Sequence, residues 1–108
     1  MAQDFENSIA RSTGTSGADI RVANSDDAIV GLRLANITTG AITVDCFIER
    51  SSANYFLVKG ATIPAGSSLE LIDGGSKIVL VNGDTLKVDC DTDNALDVWC
   101  SVVDTISE

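Results

Sequence analysis

The 108-residue chain has no histidine, one proline, one methionine and only 5% aromatic residues, and its 7 lysines and arginines are outnumbered by 16 aspartates and glutamates. Each shortage removes a class of function. Histidine titrates nearest neutrality and is the commonest general base and metal ligand, so histidine-dependent triads and zinc–histidine sites are excluded. A net charge of −9 repels phosphate. Arg11, Arg21, Arg33, Arg50, Lys59, Lys77 and Lys87 stand singly rather than in a patch, which argues against nucleic acid and anionic membranes as partners. No apolar run approaches the ~18 residues of a membrane helix, and MAQDFENSIARSTGTSG has no basic start followed by an apolar stretch. The expectation is a soluble protein made and kept in a cytoplasm, or assembled there. One short chain has room for one core, and an apolar fraction of 44% is enough to form it.

Cysteine is scarce too. Cys46, Cys90 and Cys100 cannot all pair within one chain, and none lies in a C-x-x-C motif. Each falls inside an apolar alternation, as in Val44, Cys46 and Ile48, and so reads as a small buried hydrophobe. A Cys90–Cys100 bridge across neighbouring strands stays open at this level. With no histidine to act as base, a catalytic thiol is not supported.

What is present is period-two alternation from Ala18 to the end, the signature of half-buried strands. Strands are predicted at 19–23, 28–37, 41–50, 55–59, 68–72, 77–81, 85–90 and 95–105. In 28–37, Val30, Leu32 and Leu34 face the core. In 41–50, Ile42, Val44, Cys46 and Ile48 face one way while Thr43, Asp45, Phe47 and Glu49 face the other. Asn82-Gly83 between two apolar runs predicts a type I′ hairpin, and Gly60 to Gly66 reads as a turn region. About eight short strands with turns every ~8–12 residues predict an all-β antiparallel sandwich, jelly-roll or immunoglobulin-like. Residues 1–17, rich in Ser, Thr, Gly and Asn, read as an extended N-terminal arm preceding a sandwich domain at 18–108.

Candidate chemistry is sparse. Asp89-Cys90-Asp91-Thr92-Asp93-Asn94 imitates the start of a calcium loop, but Asn94 stands where that loop needs glycine and Cys100 where it needs the closing glutamate. Paired carboxylates work without histidine in glycosidases, yet no aromatic cluster in the sequence supplies a wall to raise one acid's pKa. No catalytic, cofactor-binding or metal-binding residues are assigned. A different set stands out. Phe47, Phe56, Trp99 and Val103 fall opposite the main apolar stripe, and Phe5 and Ile9 are isolated apolar residues in a polar segment. These six are the candidate interface residues, either covering a second sheet or marking an exposed patch.

The succession Ala28-Ile29-Val30-Gly31-Leu32-Arg33-Leu34-Ala35-Asn36, Ile63-Pro64-Ala65-Gly66-Ser67-Ser68-Leu69 and Leu80-Val81-Asn82-Gly83-Asp84 resembles small virion structural proteins of tailed bacteriophages, especially those infecting marine cyanobacteria. The likeness runs from about Ala18 to the end, and its I-P-A-G-S-S-L and N-G-D-x-L-K-V elements are also ordinary turn chemistry. It implies a β-sandwich present in many copies on a particle, with no cofactor and no catalysis. The expected role is a head decoration or cement protein, a homo-oligomer contacting the major capsid protein or other virion proteins, located in the virion after assembly in the host cytoplasm. A neck or tail component such as a fibre adaptor is the alternative, followed by a carbohydrate- or receptor-binding module.

Overall fold

A computed structural model of the chain describes residues 4–72 and 77–104. The described elements are β1 (Asp4–Thr13), β2 (Ala18–Val22), β3 (Asp27–Asn36), β4 (Ile42–Arg50), β5 (Ala53–Ile63), β6 (Ser68–Ile72), β7 (Ile78–Leu80), β8 (Thr85–Cys90) and β9 (Leu96–Asp104). They form two antiparallel sheets. A five-stranded sheet has the order β1-β9-β3-β6, with β7 also on β3, and a four-stranded sheet has the order β2-β8-β4-β5. The pairs are nested: β1 with β9, β2 with β8, β3 with β6 and β7, β4 with β5. A chain doubled back on itself in this way and rolled into two sheets is a jelly roll.

The core lies between the sheets because alternate side chains of each strand point the same way. Val44 and Cys46 of β4, Leu86 and Val88 of β8, and Leu96, Cys100 and Val102 of β9 are all fully buried there. In β3 the phase differs from expectation. A bulge between Ile29 and Gly31 sets an extra residue against β9, so Ile29 faces the core with Leu32 and Leu34 while Val30 is only half-buried.

Three further expectations are corrected. The segment expected as an arm holds β1, an edge strand of the domain's own sheet, with Phe5 opposite Val103, Asn7 opposite Ser101 and Ile9 opposite Trp99. Its positions opposite the buried Val102, Cys100 and Val98 are Glu6, Ser8 and Ala10, and its large apolar side chains Phe5 and Ile9 are exposed, which is why it reads as a polar arm. Gly60 lies inside β5 rather than in a turn, at φ 72°, beside the irregular pairing of Val44–Cys46, and its N–H donates to Asp45 Oδ1 at 2.8 Å. Asn82-Gly83 forms no hairpin. Asp84 N–H closes a tight turn onto Val81 C=O, Gly83 alone takes positive φ, and the turn carries the chain from β7 in one sheet to β8 in the other. The two-residue hairpin with both central φ positive is Ser51-Ser52, joining β4 to β5.

Two ion-pair groups lock the rim. Asp84, 1% exposed, accepts both guanidinium branches of Arg50 at 2.7 Å and the Val81 N–H at 3.0 Å. Its pKa is lowered, first by the Arg50 hydrogen bonds. Arg21 of β2 joins Glu6 of β1, Asp27 of β3 and Asp104 of β9.

Candidate functional site

The outward face of the five-stranded sheet is built from the residues between its core-facing positions. Register places them in three rungs across the strands. Phe5, Val103, Ala28 and Val79 form one rung; Asn7, Ser101 and Gly31 the next; Ile9, Trp99, Arg33 and Glu70 the third. Phe5 is 85% exposed, Ile9 61%, and Trp99 and Val79 52% each. From side-chain areas of about 150–250 Å² for aromatics, this is roughly 500 Å² of exposed apolar side chain on one face, in two rungs parted by the polar middle one.

The third rung borders a shallow hollow of about 360 Å³ lined by Ile9, Arg11, Arg33, Ala35, Asp97 and Trp99. Its charged groups balance. Arg33 Nε donates to Glu70 Oε1 at 2.6 Å, and Asp97 accepts the Ser12 N–H at 3.0 Å, where Ser12 takes φ 53° in the irregular end of β1.

Of the six candidate interface residues, Phe5, Ile9, Trp99 and Val103 therefore share this face. Phe47 and Phe56 do not. They stack on the outer face of the other sheet, with ring centroids 5.0 Å apart and Lys59 Nζ 4.5 Å above the Phe56 ring. Val79 completes the first rung and was missed, because Ile78, Val79, Leu80 and Val81 are apolar in succession and show no alternation to assign a face.

The acidic loop after β8 is occupied in turn chemistry. Asp91 accepts the Thr43 N–H at 3.1 Å, and Asp93 accepts both the N–H and hydroxyl of Thr15 at 3.0 and 2.9 Å, which lowers the Asp93 pKa. Asp89 sits beside Asp45 on the outer face of the four-stranded sheet. Burial and then Asp45 raise the Asp89 pKa. Among the described residues no group of three or more His, Cys, Asp or Glu side chains is placed to hold a metal ion.

Cys46, Cys90 and Cys100 are free and buried, so no Cys90–Cys100 bridge joins the two sheets on which they lie. Burial, with Cys100 nearby, pushes the Cys46 thiol up to about 12, and burial pushes the Cys100 thiol up to about 11. A thiolate at neutral pH is therefore disfavoured at both.

No family model and no curated protein matches the chain. Among solved structures it is similar to one described as "Bacillus endospore appendages form a novel family of disulfide-linked pili". The two are 16% identical with a TM-score of 0.52, and the match covers 94% of this chain and 84% of that one. At this identity the likeness is one of fold.

Proposed function

We propose that the chain is a non-enzymatic structural subunit of a multi-copy assembly, and specifically a decoration protein seated on the outside of a bacteriophage head. The observation that carries this reading is the set of exposed apolar side chains Phe5, Ile9, Val79 and Trp99 on one open sheet face, whose hollow is shallow rather than enclosed. Open faces suit protein partners, whereas small-molecule sites enclose most of their ligand. The resemblance to virion proteins of tailed phages supplies the particle, and the surplus of acid supplies a surface that stays soluble and apart from packaged nucleic acid.

A second reading, a subunit of a proteinaceous appendage, is favoured by the fold likeness over 94% of the chain to a solved endospore appendage structure. The disulfide linkage named for that structure does not carry over easily, because Cys46, Cys90 and Cys100 are all buried. Quantitative mass spectrometry of purified particles distinguishes the two. A decoration protein is expected in hundreds of copies, in fixed ratio to the major capsid protein. A handful of copies would move it to the neck or tail, and absence from virions with recovery in a filament fraction would replace the head reading with the appendage one.

A further inference from the structure

We propose that the outward face of the five-stranded sheet is a two-fold contact between two copies of this chain, in which Phe5 of each copy enters the Ile9–Trp99 hollow of the other. This rests on the assembly reading above and narrows it to one contact.

The face carries both halves of the contact. Phe5 projects from the first rung, 85% exposed, and the hollow of about 360 Å³ lies on the third. Rungs on one face are two residues apart, about 7 Å, so knob and hollow are separated by roughly 14 Å along the strands. The middle rung of Asn7, Ser101 and Gly31 carries little side-chain bulk. A two-fold axis lying in the contact plane along that rung, at right angles to the strands, sets the first rung of one copy over the third rung of the other. The same operation leaves the strands of the two copies antiparallel, compatible with the ~30° alignment of stacked sheets.

Charge permits a second copy on this face, and the knob and hollow that the face itself carries make it self-complementary. The molecule carries a net charge of −9, which opposes self-association over most of its surface. On this face Arg11 and Arg33 offset Asp97 and Glu70, so two copies meet here without like-charge repulsion. The roughly 500 Å² of apolar area, framed by these polar groups, approaches the ~800 Å² per partner of a standard interface.

The test uses the full chain. Sedimentation velocity across micromolar to sub-millimolar concentration is expected to show a monomer–dimer equilibrium, weakened at least tenfold by Phe5→Ser and by Trp99→Ser. Both replaced side chains are exposed, and an unchanged urea midpoint, measured dilute enough that the parent is monomeric, will confirm that each variant folds. Asn7→Cys, beside the axis, is expected to give a covalent dimer with a short bis-maleimide, and adding Phe5→Ser should abolish it. A chain that stays monomeric overturns the proposal, as does a crosslink indifferent to Phe5→Ser. Open-ended growth without the Asn7→Cys crosslink also overturns it, in favour of a head-to-tail contact. Particle abundance is independent: a monomer abundant on virions would sink this contact alone, whereas a dimer absent from every particle would sink the assembly reading alone.

Discussion

Replacing Arg21 by methionine should destabilise the domain by about 3–5 kcal/mol, the range for removing one partner of a buried ion pair. Arg21 Nε donates to Asp27 Oδ2 at 2.9 Å and Nη1 to Glu6 Oε1 at 3.0 Å, while Nη2 lies 3.6 Å from Asp104 Oδ1. The Arg21 side chain is 14% exposed and that of Asp27 0%. Ser25 Oγ donates to Asp104 at 2.8 Å, with Asp27 at 3.3 Å. Burial first, then the hydrogen bond with Asp104, raises the Asp27 pKa, against the pull of Arg21. With the guanidinium gone, three carboxylates crowd one end of the sandwich.

A small domain holds ~5–15 kcal/mol in total, so a loss of this size is a large share of it. At roughly 4–8 °C per kcal/mol, the melting temperature should fall by roughly 12–40 °C. Urea titration at neutral pH is the assay, with a lower midpoint and an unchanged slope expected. The pH dependence has a definite sign. An acid whose folded pKa is raised favours the fold below its unfolded value of about 3.9, and that contribution is lost as pH rises through the folded pKa. Without Arg21 the Asp27 pKa rises further, so the deficit of Arg21→Met should shrink as pH falls from neutral toward about 4. Arg21→Met with Asp27→Leu should recover much of the loss. A single variant indistinguishable from the parent, or a deficit that grows on acidification, would refute the argument.

The thiols give a second check: native protein should leave Cys46, Cys90 and Cys100 unlabelled by a thiol reagent at neutral pH, and denaturant should release all 3. One thiol labelled rapidly in the folded state would reopen covalent linkage between subunits. At the β4–β5 hairpin, Ser52 takes φ 67°; Ser52→Gly should be neutral or stabilise by about 0.5 kcal/mol, and Ser52→Val should destabilise by about 1–2 kcal/mol, read by urea melts. Equal effects of the two substitutions would contradict the assigned turn.

The sheet content was legible because the strands with one buried face, above all β4 and β9, keep an apolar residue at every second position, Ile42 to Ile48 and Leu96 to Val102. The bulge in β3 was not, since an extra residue shifts the phase without changing composition, and both Ile29 and Val30 are acceptable core residues. Turn chemistry misled in both directions. Asn82-Gly83 has the preferred hairpin residues but links two sheets, while Ser51-Ser52 adopts positive φ at both positions without Asn or Gly, because the β4–β5 register from Arg50–Ala53 onward requires it. Phe5 and Ile9 carried a usable signal: a four-residue spacing is two strand periods, which puts both on one face. Which sheet each aromatic belongs to is set by long-range pairing, so Phe47 and Phe56 could not be separated from Trp99 by periodicity alone.

If copies meet through the face bearing Trp99, the chain's single tryptophan reports on the contact. Trp99 is 52% exposed in the isolated chain. Its emission and its quenching by acrylamide, followed from dilute chain to concentrated or particle-bound chain, measure the contact directly. A blue shift and a several-fold loss of quenching are expected on association; emission and quenching that stay the same while the chain demonstrably associates would place the contact elsewhere.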